Sequence, residues 1–286
     1  MKNSTTIQHN AYWYLCGIAS AGAAIITHPL DLVRVQMQAQ LKQVSPIEVV
    51  HLIVKYRGIQ GLSYGLSASI VRQLNYSATR FGIYEIVKQY GLAENFRRRV
   101  AVSAGSGLIA GLTNVPMEKV TIQIRVDASR PPKTRRNYSS LRDGLNKLYK
   151  IGGIKNLYSC ALTSGFRGMA LTVAQLSIYD QVKEQLVIYS STEKHWESFF
   201  FASLIAGGIA ALITLPIDVV NTIGKNAEYN EFKSSWDIMK RIFHENGIRG
   251  FHKGFMPSLL RFVPQTMLTF IFYEELRMRL GQLTED

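Results

Sequence analysis

Three stretches of the chain contain no Asp, Glu, Lys or Arg: residues 11–30, 100–117 and 198–217. At about 1.5 Å of rise per residue, each is long enough as a helix to cross a hydrocarbon core of about 30 Å. All three are rich in small residues, including Gly17 and Gly22, Gly105, Gly107 and Gly111, and Gly207 and Gly208. Small residues let neighbouring helices approach closely in lipid. Outside these runs the chain is strongly basic, with 33 Lys and Arg against 20 Asp and Glu, a net charge of +13. That excess points to an anionic partner, and the long uncharged runs argue against nucleic acid. Two cysteines, Cys16 and Cys160, exclude a disulfide scaffold and a Cys-rich zinc site. The six histidines lack metal-ligand spacing, and no P-loop, dinucleotide fingerprint or nucleophile triad is present, so neither a metal nor an enzyme is expected. The polar N-terminus, MKNSTTIQHN, reads as neither a signal peptide nor an Arg-rich transit peptide.

Each uncharged run closes on a proline followed two residues later by an acid: Pro29 and Asp31, Pro116 and Glu118, Pro216 and Asp218. Further on, Gly58-Ile59, Gly153-Ile154 and Gly247-Ile248 occupy matching places. Seven residues later stand Gly65, Cys160 and Gly254, and seven beyond those stand Arg72, Arg167 and Arg261. Thirteen residues past each arginine comes Tyr84-Glu85, Tyr179-Asp180 or Tyr273-Glu274, and three past each acid a base, Lys88, Lys183 or Arg277. The offsets from glycine onward hold without a gap, so the chain is a threefold repeat of 94 to 95 residues. Its parts are a polar tail at 1–10 and repeats at 11–91, 98–188 and 194–280.

Each repeat reads as a long helix bent at its proline, a loop, a short amphipathic helix and a second long helix. The second helices, about 66–90, 160–188 and 255–280, are apolar except for the arginine part-way along. An arginine inside a bilayer costs roughly 2.5 kcal/mol or more, so it should face a water-filled interior. The expected fold is therefore an all-α membrane protein: six transmembrane helices in three pseudo-threefold repeats around a central cavity. Guanidinium presents a planar fork that matches a carboxylate or phosphate. Arg72, Arg167 and Arg261 are accordingly the candidate substrate-binding residues. Helical spacing adds Tyr76, Arg80, Gly168, Gln175 and Gln265, with Thr269 one turn past Gln265. Thirteen residues at 100° each leave Glu85 about 220° round from Arg72; the straight stripe is 72, 76, 80 and 84.

These features resemble the mitochondrial carrier family, whose signature is Pro-x-acid-x-x-base, then a Gly-rich turn, three times over. The resemblance covers about residues 11–280. Within the family the stretches THPLDLVRVQMQ, GLSASIVRQ, RFGIYE, RGMALTVAQLSIYDQVK and LTFIFYEELR are closest to dicarboxylate carriers. Oxoglutarate carriers and uncoupling proteins share parts of them. The resemblance implies both termini on the intermembrane-space side and three short helices on the matrix side, about 45–56, 137–150 and 231–245. It implies a multi-pass, monomeric inner-membrane antiporter without a cleavable presequence, exchanging malate or succinate for phosphate or another oxyanion by alternating access. It implies no cofactor, but cardiolipin held by the turns at Gly58 and Gly153. It also implies a cytoplasmic-side gate pairing Glu85 with Lys183, Asp180 with Arg277, and Glu274 with Lys88.

The matrix-side gate departs from the family pattern. The base three residues after the acid is Arg34 in the first repeat, but Thr121 and Asn221 stand there in the second and third. Glu118-Lys119, Arg125 and Cys160 are further departures. The expectation is a single ion pair, Arg34 with Asp31 or Asp218, the family pattern favouring Asp218, and hence a weak gate. Three alternatives stay open: an oxoglutarate or other anion carrier, from the shared stretches, and, from the weak gate, an uncoupling-like leak or a non-transporting relative serving as sensor or scaffold.

Overall fold

The computed structural model describes residues 13–40, 44–91, 95–173 and 212–282, and every regular element among them is helical. In the first repeat, α1 (Trp13–Ala39) is followed by α2 (Pro46–Arg57) and α3 (Leu66–Gln89). The second contains α4 (Phe96–Thr113), α5 (Val115–Val126), α6 (Leu141–Leu157) and α7 (Ala161–Thr172). The third contains α8, described over 212–226, then α9 (Ser235–Asn246) and α10 (Phe255–Gln282). Gly17–Ala39 is long and apolar enough to cross a membrane; α4 and α5 together meet the same test, bent by 60° where they join. The third uncharged run lies mostly outside the described residues.

The prolines act differently in different repeats. Pro29 lies inside the unbroken α1. Pro116 sits in the first turn of α5, just past the break at Asn114, where its missing N–H costs nothing. Pro216 lies within α8.

The short helices α2, α6 and α9 share one start and one stop. Ser45, Ser140 and Ser234 accept the backbone N–H of Glu48, Asp143 and Asp237, at 3.1, 3.2 and 3.3 Å. Each cap satisfies a donor that the first helical turn leaves free. The stops are Gly58, Gly153 and Gly247, with φ of +70°, +61° and +59°. Only glycine takes this backbone without a side-chain clash. The α6 element continues beyond Gly153 as a second, kinked piece.

Each short helix packs under the long helix that precedes it. Leu32 and Val33 meet Val49 and Ile53; Val120 and Ile124 meet Leu148; Val219, Val220 and Ile223 meet Ile238 and Ile242. These three small cores fix the ends of α1, α5 and α8, and so the acids one residue before each cluster begins or nearby.

In the second repeat, α4 and α7 touch backbone to backbone. A methyl group on Gly107 or Gly168 would strike the other's carbonyl, and one on Gly111 would meet the Ser164 carbonyl at 2.5 Å. Gly168 therefore belongs to a helix–helix seam. It lies about 100° round α7 from Arg167, on the face packed against α4.

Candidate functional site

The three acids after the prolines meet as one buried ring. Arg34 pairs with Asp218, as the sequence leads one to expect, and also lies 3.6 Å from Asp31. Arg125 pairs with Asp31 at 2.7 Å. Lys225 pairs with Glu118. The order is cyclic: the acid of the first repeat takes the base of the second, that of the second takes the base of the third, and that of the third takes the base of the first. The expected single pair is thus corrected to three pairs, which close the ring.

The missing bases have moved by one helical turn. Arg125 and Lys225 each stand seven residues after their own repeat's acid, four beyond Thr121 and Asn221. Seven residues at 100° return to within about 20° of the starting face, so both bases still point inward. Thr121 donates to the Met117 carbonyl at 2.7 Å, and Asn221 accepts from Ser164 Oγ at 2.9 Å. Neither has a charge to give the ring. Lys119, beside Glu118, turns away and donates to Asn156 O, Asn156 Oδ1 and Ser159 Oγ at 2.8, 2.6 and 2.8 Å. It closes the end of α6 rather than the ring.

A second layer lies below two of the three pairs. Gln36 Nε2 donates to the Arg125 carbonyl at 2.7 Å, and Gln123 Nε2 to the Lys225 carbonyl at 2.9 Å. The matching position of the third repeat is the buried, apolar Ile223. Sequence reasoning missed this layer, as it missed the roles of Arg125 and Lys225; the shared signal is the spacing of five and seven residues after each acid.

The candidate binding arginines sit against the same ring. Arg167 reaches Glu118 at 3.1 Å and Asp218 at 3.2 Å, and Arg261 reaches Asp31 at 3.0 Å. Arg72 is within electrostatic range of Glu118, Asp31 and Arg167. Arg72 Nη2 also lies 3.5 Å from Gln73 Oε1 on its own helix. The stripe above Arg72 is one buried face: Tyr76, Arg80 and Tyr84 are all less than a tenth exposed, with the Arg80 guanidinium 5.5 Å from the Tyr76 ring centre. Gln265 is drawn into the α1–α10 contact, donating to the Ser20 carbonyl at 3.2 Å and accepting from Thr27. Thr269 donates back to the Gln265 carbonyl at 2.7 Å. His28 bonds the Tyr64 carbonyl at 3.2 Å, a packing contact.

Gln175, Asp180 and Lys183 lie outside the described residues. So do the side chains of Glu85, Lys88, Glu274 and Arg277, although α3 and α10 carry them. Among the described residues no group of His, Cys, Asp and Glu could hold a metal ion.

A loop between α5 and α6 crosses the end of the bundle where the short helices lie. Asp127 Oδ2 accepts the Arg136 backbone N–H at 2.7 Å. Arg136 in turn donates to Asn226 Oδ1 and to the Asn226 carbonyl, at 3.0 and 2.6 Å, in the third repeat. Arg135 donates to the Tyr56 carbonyl at 3.2 Å, in the first.

The model of the family described as mitochondrial carrier protein matches residues 8–95, 92–190 and 192–283, one match per repeat. The chain belongs to the mitochondrial carrier family. A mitochondrial dicarboxylate carrier of Caenorhabditis elegans is 37% identical over 94% of each chain. A mitochondrial dicarboxylate transporter of Candida glabrata is 33% identical over 96% of this carrier and 97% of that one. A probable mitochondrial 2-oxoglutarate/malate carrier protein of Dictyostelium discoideum is 31% identical over 91% and 86%. Carriers of this family are transporters rather than enzymes, and membership implies the mitochondrial inner membrane.

Proposed function

We propose that this carrier exchanges small dicarboxylates such as malate and succinate for phosphate or another oxyanion, by alternating access around one central site. The observation that carries this reading is a charge imbalance at one level of the bundle. Arg34, Arg125 and Lys225 balance Asp31, Glu118 and Asp218, and Arg72, Arg167 and Arg261 remain in excess beside them. An excess of three positive charges suits a doubly charged anion, and each charge-assisted bond contributes about 1.5–3 kcal/mol. The names of the relatives in worm and yeast support a dicarboxylate; the amoebal relative's name extends the class to 2-oxoglutarate.

The ring would be the matrix-side gate, closed in this structure, and the Glu85–Arg277 set the gate at the other end. With the ring complete, the argument for a leak or for a non-transporting role through a degraded gate loses its premise. No cofactor takes part in such an exchange. The turns at Gly58, Gly153 and Gly247 would hold an acidic phospholipid such as cardiolipin through backbone N–H groups, and the working unit would be a monomer.

The test is uptake of labelled malate by liposomes carrying the purified protein and preloaded with malate, phosphate, oxoglutarate or nothing. Malate uptake driven by internal phosphate and lost in Arg167→Ala is the expected result. Uptake into empty liposomes would mean a leak, and no uptake by folded protein would overturn the transport reading.

A further inference from the structure

The loop between α5 and α6 is longer than its counterparts. It spans fourteen residues, 127–140, against six at 40–45 in the first repeat and eight at 227–234 in the third. Its backbone is fastened to its own repeat at both feet. Asp127 Oδ2 accepts the Arg136 backbone N–H at 2.7 Å, the Tyr138 hydroxyl donates to Gln123 Oε1 at 2.8 Å, and Lys147 Nζ donates to the Asn137 carbonyl at 3.1 Å. Arg135 Nε draws the loop onto itself, donating to the Arg130 carbonyl at 2.9 Å. A loop held in this way cannot follow a neighbouring repeat that moves off.

Its outward contacts all belong to those neighbours. Ala128 is fully enclosed among Leu32, Val33, Val49 and Ile53 of the first repeat. Arg135 donates to the Tyr56 carbonyl near the end of α2, and Arg136 to the carbonyl and side chain of Asn226 at the end of α8. The acceptors are neutral and the Arg136 side chain is 17% exposed, so water can take over these bonds as they break. Bonds of this kind hold a closed form without locking it.

We infer that this loop is a strap across the ring end, which has to let go of Tyr56 and Asn226 each time that end opens and so slows the opening. It acts on the rate of the transition rather than on the choice of anion, because its residues stand apart from the arginines of the binding site. The inference rests on the alternating-access reading of the carrier.

The test is malate exchange in liposomes together with thermal unfolding. Arg135→Ala and Arg136→Ala should each exchange malate roughly two- to tenfold faster per folded carrier than the parent, as expected for one lost, partly exposed hydrogen-bonding side chain. Both should also unfold at a lower temperature; a loop that only supports the fold would lose rate together with stability. A covalent strap gives the second reading. In a Cys16→Ser, Cys160→Gly background, Arg136→Cys is paired with Asn226→Cys, and Arg135→Cys with Tyr56→Cys, and each pair is bridged by a bifunctional methanethiosulfonate reagent. Bridging should stop exchange and raise the thermal midpoint, and a reductant should reverse both effects. Undiminished exchange by a bridged carrier would overturn the inference, as would rates at or below the parent's in both alanine variants. Absence of malate exchange by the unaltered carrier, with bridging still raising the midpoint, would instead overturn the exchange reading.

Discussion

Arg125 of the second repeat reaches Asp31 of the first at 2.7 Å, although Thr121, one turn earlier, is the position where a base would have been sought. Lys225 repeats the arrangement on Glu118, with its side chain fully enclosed. A helix offers two positions on the inward face after each acid, at three and at seven residues, and this chain uses one of them once and the other twice.

The displaced base can be moved back. Lys225→Ala leaves Glu118 with Arg167 as its remaining partner, and breaking a buried pair costs about 3–5 kcal/mol. Its thermal midpoint in detergent should fall and its exchange rate should drop. Adding Asn221→Lys should recover part of both, because residue 221 lies on the same face as Glu118's partner. A single variant as stable as the parent would show that the pair adds nothing to closure.

The seam between α4 and α7 makes a different prediction. Gly168→Ala and Gly107→Ala should each destabilise the carrier by about 1–3 kcal/mol through overpacking against backbone. The folded fraction should keep its KM for malate. A raised KM with unchanged thermal stability would return Gly168 to the substrate site.

Cys160 and Gly224 form a matched pair. Cys160 holds a left-handed backbone, φ +62°, where the other repeats have Gly65 and Gly254. A methyl group on Gly224 would strike its sulfur. In the first repeat the sizes are reversed, with Gly65 against Ile124. Gly224→Ala should therefore destabilise by about 1–3 kcal/mol, and Cys160→Gly should offset most of that loss by vacating the space and relieving the strained backbone. Thermal midpoints of the two single variants and the double variant measure the coupling; additive losses would disprove it.

The loop anchored at Asp127 carries a pH signature. Burial pushes the Asp127 carboxyl above its ordinary range, against the smaller pull of the Arg136 backbone N–H. With the folded value above the unfolded one, its contribution is fully present below an unfolded pKa of about 3.9 and is lost as pH rises through the folded value. Asp127→Asn does not titrate. The midpoint of the variant minus that of the parent should grow more positive between about pH 4 and 7, and a flat difference would count against the buried carboxyl.

The repeat, the three arginines and the three acids were legible because their offsets recur without a gap, and helical spacing then fixes which face they share. The stripe of Tyr76, Arg80 and Tyr84 followed from the same arithmetic, and all three side chains are buried. The completeness of the ring was not legible, since a motif ties the base to one offset while the helix face admits another. The close approach of Gly168 to α4 was not legible either, since it depends on a helix partner more than fifty residues away. The bonds of Arg135 and Arg136 join residues some 80 to 90 positions apart, and contacts of that range leave no local pattern to read.

The amide layer and the loop bonds both favour the second repeat. Between α1 and α5, Gln36 and the Arg135–Tyr56 bond add to the Arg125 pair; between α5 and α8, Gln123 and the Arg136–Asn226 bonds add to the Lys225 pair. Between the ends of α8 and α1, among the described residues, Arg34 with Asp218 stands without such reinforcement. Three alike leaves would part together, as an iris does. Here the edges differ in kind: amides and loop bonds back two of them, while the third is joined by Arg34 with Asp218, Arg261 with Asp31 and the α1–α10 contact at Gln265, so its parts need not move alike.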